Sequence, residues 1–359
     1  MDQRSDVLPV PAIDFSELHA HHSRSQLRAF RHWAKSNRPG LVQKSDLTES
    51  VLVVLIIGGG LVTVAASTLM IGFGVIVAVM SGRIEWITGV LVGLGVAAFI
   101  VFSSMRLIEI WRRDVRFGVR WRRWMRLNSF AEANHMVYIP EIVSPDYPGS
   151  LFMMGKARRA RDIVATSTGR YVEIGNYQYS GQTGLNRSLN RRGYIRVILD
   201  RRVPHLYLRS RKSRKLGETF ARSQEFALEG DFGQYFRLYA PGGYERDALY
   251  ILTPDLMALL IDEAANFDVE FVGSNIFFYS PRRFRMTDPQ TFLLSIRLGE
   301  SVVAKALKQT GSYSDARSVG GYVHSRGARL SRGMSVAAMI GILIAIAQIF
   351  RLVQLLFLR

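Results

Sequence analysis

The chain has 359 residues, a net charge of +18 and no cysteine. Disulfides, thiolate metal sites and cysteine nucleophiles are thereby excluded. The positive balance suits an anionic partner, although arginine outnumbers lysine 40 to 7, a pattern more of codon preference than of forty selected contacts.

Residues 1–50 form a polar N-terminal segment with no signal peptide, because the apolar stretch that follows is too long and lacks a cleavage site. Within it, 14–36 reads as an amphipathic helix, with Asp14 and Glu17 spaced as a capping box. Phe15, Leu18, Phe30 and Trp33 fall near one face, and Arg24, Arg28, Arg31 and Lys35 cover the rest. His19, His21, His22 and His32 have no carboxylate partner and do not make a metal site.

Residues 51–111 are expected to be a transmembrane hairpin. The runs 51–80 and 87–105 carry no charge, and about 20 apolar residues span a bilayer. Gly89, Gly93 and Ala97 put small residues on one face of the second helix, a seam for another helix or a second copy. Arg31, Lys35, Arg38 and Lys44 precede the hairpin and Arg106 follows it, while its turn holds only Arg83. Basic residues stay on the cytoplasmic side. The expected location is therefore the cytoplasmic membrane, multi-pass, with the N-terminus and central domain in the cytoplasm.

Residues 112–155 read as a basic juxtamembrane helix and a loop rich in Pro and Gly. Trp121 and Trp124 lie among Arg112, Arg113, Arg116, Arg120, Arg122, Arg123 and Arg126. Rings and guanidinium groups in that pattern suit the headgroups of anionic inner-leaflet lipid, at about 1 kcal/mol per basic residue. Fixing orientation is the alternative role of these arginines. The densest basic cluster, 209–215, adds Arg209, Arg211, Lys212, Arg214 and Lys215 to the candidate lipid-binding set. Nucleic acid is disfavoured, since the cluster lacks an aromatic platform.

Residues 156–310 are expected to be a cytoplasmic α+β domain on an antiparallel-type sheet. Aromatic and β-branched runs at 171–179, 194–199 and 205–208 predict strands, with a hairpin tip at 181–186. Further on, 226–230, 236–240 and 248–252 read as strands, and 231–235 as a helical turn. Thr253 and Pro254 open a helix, 269–272 and 276–280 make a hairpin across Gly273, and Asp288 opens a last helix to about residue 309. Residues 311–333 read as a flexible linker. Residues 334–359 form a C-terminal helix, spanning or, because Gln348, Arg351 and Gln354 fall three apart, interfacial.

The elements Asp231-Phe232-x-x-Tyr235-Phe236 and Tyr250-Ile251-Leu252-Thr253-Pro254-x-x-Met257, with 175–179 upstream, resemble an uncharacterised family of bacterial integral membrane proteins defined only as a domain of unknown function. The resemblance spans roughly residues 161–280 and implies a membrane hairpin before the domain. It implies no known catalysis. The third apolar run and the 209–215 cluster depart from that family.

Nothing in the sequence assembles a catalytic site. There is no GxSxG, P-loop, GxGxxG or HExxH pattern. His205 follows Pro204 in a strand-like run and reads as a half-buried structural residue. Asp262 and Glu263 are adjacent on a helix and point apart. The expected function is a non-enzymatic binding or scaffold module, with no cofactor and no metal. The alternative is a subunit or regulator of a membrane complex.

Overall fold

Runs of aromatic and β-branched residues, alternating in burial and punctuated by glycine, build an α+β fold on one antiparallel sheet of seven strands. The computed structural model describes residues 13–37, 121–183, 186–213, 220–228, 230–318 and 323–331, with isolated positions elsewhere. The chain divides into two compact units, residues 20–126 and residues 1–19 with 127–359.

The expectation of a transmembrane hairpin, a C-terminal transmembrane helix and a multi-pass location in the cytoplasmic membrane is corrected. No helix among the described residues is long and apolar enough to cross a membrane. The apolar runs 51–80, 87–105 and 336–358, and the seam residues Gly89, Gly93 and Ala97, lie outside the described residues apart from isolated positions.

The N-terminal helix is broken in two. Asp14 accepts the backbone N–H of Ser16 at 2.8 Å to start α1 (Ser16–His19), and a second start follows at α2 (Arg24–Asn37). The second start is a capping box: Ser23 Oγ accepts from Gln26 N at 3.2 Å, and Gln26 Oε1 accepts from Ser23 N at 2.8 Å. A helix α3 covers 121–133.

The strands are β1 (Met136–Val143), β2 (Lys156–Thr166), β3 (Val172–Thr183), β4 (Asn186–Ser210), β5 (Glu225–Phe226), β6 (Phe236–Tyr239) and β7 (Asp268–Tyr279). Their order is β1-β2-β3-β4-β6-β5, with β7 paired to β4. The expected strands 194–199 and 205–208 are one 25-residue strand, β4, whose register with β7 slips between Ile198 and Val203. Likewise the expected hairpin at 269–280 is the single strand β7. Gly273, with φ +56°, takes a left-handed conformation there and accommodates the slip.

The helices are α4 (Phe232–Tyr235), α5 (Glu245–Ile251) and α6 (Pro254–Ala264). After β7 come α7 (Pro289–Leu298), a π turn (Gly299–Val303), α8 (Ala304–Gly311) and α9 (Ser325–Ala328). The run 248–252, expected as a strand, is the end of α5 and its C-cap, Leu252. Five apolar residues fit either period, and Glu245 and Asp247 in the first turn favour the helix through its dipole. Thr253 caps α6 as its sequence requires, accepting from Leu256 N at 3.4 Å.

Strand pairing sorts the central side chains onto two faces. On one, Tyr177, Tyr194, Phe277 and Tyr279 pack with Leu151 and Phe152 of the β1–β2 connection, Phe220 and Leu330. The rings meet edge-on, as between Phe152 and Tyr194 at 5.0 Å and 89°. The stretch 311–333, read as a linker, is fastened where described. Asp315 accepts from Tyr244 Oη at 2.7 Å, His324 N at 2.9 Å and Arg317 N at 2.9 Å.

Candidate functional site

Three carboxylates in the sheet are fully buried, Glu173 on β3 and Asp268 and Glu270 on β7, and two of them, Glu173 and Glu270, each gather a cluster of donors on the aromatic face. Glu173 accepts from the hydroxyls of Tyr147 at 2.7 Å and Tyr171 at 2.8 Å, and from that of Tyr194. Arg196 lies 3.5 Å from the carboxylate and stacks 4.6 Å over the Tyr147 ring. Burial, then the Glu173 charge, pushes the Tyr194 hydroxyl well above its ordinary range, so it remains a donor.

Glu270 accepts from Ser150 Oγ at 2.6 Å, Ser150 N at 2.8 Å and Tyr279 Oη at 2.6 Å. His205 Nε2 is 2.7 Å from the same carboxylate, and His205 Nδ1 accepts from Leu330 N at 3.0 Å. With Nδ1 accepting, Nε2 carries the proton and donates it to Glu270. Burial works to raise the Glu270 carboxyl, but the bonds from His205, Ser150 and Tyr279 hold it below its ordinary value.

A serine, a histidine and a glutamate together invite comparison with a hydrolase triad, but the bonding is wrong for one. The Ser150 hydroxyl donates to the carboxylate rather than to the imidazole, and both imidazole nitrogens are engaged. The cluster is a clasp that ties the β1–β2 connection and the segment after α9 to the sheet. His205 is 2 % exposed and serves that clasp.

The expected lipid-binding residues are dispersed among several roles. Arg112, Arg113, Arg116, Arg120, Arg214 and Lys215 lie outside the described residues. Trp121, expected to present its ring to headgroups, is 1 % exposed. In unit 20–126 it packs edge-on against Phe30 at 6.2 Å and Trp124 at 5.1 Å, with Arg31 5.3 Å over its ring. The ring is thus core within that unit. Arg126 donates to the Ala20 carbonyl at 3.2 Å, Arg122 is exposed and Arg123 half-buried. Arg209 stacks 5.0 Å over Tyr239, Arg211 donates to the Gly233 carbonyl at 2.6 Å and Lys212 lies 5.3 Å over Tyr235. The described part of the 209–215 cluster is thus bound against 233–239.

An open groove of about 820 Å³ lies between residues 226–232 and helices α5 and α6. Its apolar wall includes Phe226, Phe232, Leu249, Leu252, Met257 and Ile261, and its charged residues among the described ones are Asp231 and Asp262, both exposed. The elements 231–236 and 250–257, far apart in their sequence signals, meet here. Thr253 and Pro254 begin α6 at the groove, which turns Met257, Ala258 and Ile261 into it on one helical face. Among the described residues, no three His, Asp or Glu side chains converge as metal ligands.

Glu173, Asp268 and Glu270 were missed by sequence reasoning. A signal was present: each carboxylate stands inside an apolar, β-prone run, as in Val269-Glu270-Phe271, and buried carboxylates are rare unless paired.

No protein-family model matches the chain, and no curated protein matches it. Among solved structures it is similar to the crystal structure of the mycobacterial trehalose monomycolate transport factor A, TtfA. Identity is 14 %, over 51 % of this chain and 92 % of that chain, with a TM-score of 0.34. A likeness that weak carries no functional argument.

Proposed function

We propose that the chain is a non-enzymatic binding module whose groove takes the apolar face of an amphipathic, basic helix from a partner protein. One observation carries this reading. The two elements singled out in the sequence, 231–236 and 250–257, meet around one apolar groove whose charged lining residues are Asp231 and Asp262. In a chain of net charge +18, a local acidic rim discriminates in favour of basic flanks on the incoming segment. Leu249, 46 % exposed, and the adaptable thioether of Met257 offer apolar area to a helix that presents residues at i, i+3, i+4 and i+7.

The test uses the full chain and two labelled model peptides, one built of leucine and lysine, the other of leucine and glutamate, followed by fluorescence anisotropy. The leucine–lysine peptide is expected to bind although the chain is basic overall. Ala258→Trp, which fills the groove from an exposed helical position, and Asp262→Lys should each weaken it at least about tenfold, or about 1.4 kcal/mol. Circular dichroism checks that both variants keep their fold. Binding unaffected by either substitution, or none at all, overturns the reading.

A further inference from the structure

Strand register alone assembles a second feature, on the sheet face opposite the aromatic one. Two rows of paired residues cross the strands there: Glu141, Arg161, Asn176 and Gly193, then Val143, Arg159, Gln178 and Arg191. The single carboxylate in these rows, Glu141, bonds Arg159 at 2.9 Å and Arg161 at 3.0 Å. Gln178 Oε1 accepts from Arg191 Nε at 3.2 Å and Arg161 Nη1 at 3.5 Å, which draws those two guanidinium groups together.

The segment after β7 adds a further cation. Asn176 holds it with both ends of its amide, donating to the Phe284 carbonyl at 3.1 Å and accepting from Phe284 N at 2.6 Å. Gly193 N donates to the Arg282 carbonyl at 2.9 Å, and the Phe284 ring lies so close over Gly193 that a Cβ there would meet it at 2.6 Å. Glycine is therefore required at 193, and the segment carries Arg283, exposed, close enough for its charge to act on Arg191. Burial, then the charges of Arg283 and Arg161, depresses the Arg191 guanidinium below its ordinary value. Like charges on neighbouring strands are destabilising, and among the described residues no carboxylate is bonded to Arg191 or Arg283.

We propose that Arg159, Arg161, Arg191 and Arg283, with Gln178, form a binding site for a phosphate-type oxyanion. Planar guanidinium groups match phosphate oxygens two at a time, and a bound dianion would convert the repulsion within the cluster into attraction. The site residues in these rows span three strands, β2 to β4, roughly 10 Å at about 4.8 Å per spacing. That extent fits one or two phosphate groups on a small molecule or a lipid head and is short for a nucleic-acid backbone. The site is independent of the groove and uses none of its residues.

The probes are inorganic pyrophosphate and vesicles containing phosphatidic acid, presented to the full chain. Pyrophosphate should raise the melting temperature more than sodium chloride at equal ionic strength. Arg191→Gln with Arg283→Gln should weaken pyrophosphate at least tenfold yet be no less stable than the parent without phosphate, since the repulsion is relieved. Arg246→Gln, an exposed arginine on α5, controls for lost charge and should bind as the parent does. Co-sedimentation with phosphatidic acid vesicles that the double variant abolishes identifies a lipid source; pyrophosphate binding without vesicle binding identifies a soluble one. A pyrophosphate effect no greater than that of chloride, equal binding by the double variant, or binding of an RNA homopolymer alone overturns the proposal.

Discussion

Asp268 is buried on β7, where Ser210 N donates to it at 2.8 Å and the Tyr207 hydroxyl at 3.1 Å. Two bonds do not offset its desolvation, and burial pushes the carboxyl up from 3.8 to about 6. Because the folded value lies above the unfolded one, the folded state holds the extra proton between them. The contribution of Asp268 to stability is therefore fully present below 3.8 and is lost as pH rises through about 6. Asp268→Asn keeps an acceptor for Ser210 and removes that slope. Urea unfolding at pH 5 and pH 7 should show the parent losing about 1 to 1.5 kcal/mol more than the variant over the window. An identical slope in both would mean that Asp268 does not titrate there.

Elements in this fold are joined by side chains more than by their own propensities. The segment after α8 has little regular structure, yet Tyr313 donates to Asp247 at 2.9 Å, Arg317 pairs with Asp247 at 3.0 Å, and Asp315 gathers donors from Tyr244, Arg317 and His324. At Gly327 in α9 the Tyr244 ring occupies the place of a side chain, so any Cβ would strike it. Gly327→Ala should unseat α9 and free the backbone at Arg326 and Arg329, whose side chains are already exposed, for cleavage by trypsin. Limited proteolysis is expected to cut the variant there several times faster while the sheet's circular dichroism is retained. Equal rates would show that α9 tolerates the methyl group without release.

For the whole molecule, the buried carboxylates act in opposite directions with pH. Glu270 and Asp315 are held below their ordinary 4.5 and 3.8 by their donors against the pull of burial, so the stability they supply is present above those values and lost as pH falls through the lowered ones. Among these three groups, Asp268 favours pH below about 6, while Glu270 and Asp315 favour pH above their lowered values. Glu270→Gln leaves buried donors facing an amide nitrogen and should cost about 2 to 4 kcal/mol at pH 7. In denaturant titrations that deficit should shrink as pH falls; a constant deficit would assign it to packing instead.

Local chemistry was legible in the residues themselves. Thr253 with Pro254 marked the start of α6, Asp288 with Pro289 that of α7, and the 231–236 and 250–257 elements marked what became the two sides of the groove. Turn and cap signals act over a few residues, so the sequence carries them whole. The continuity of β4 and β7 and the clasp joining residues 150, 205, 270 and 330 were decided only in three dimensions. Their energies come from pairing and burial between residues up to 125 positions apart, and no local window contains both partners. The arginine rows follow the same rule: register, which is a property of paired strands, sets Arg161 and Arg191 on a common face.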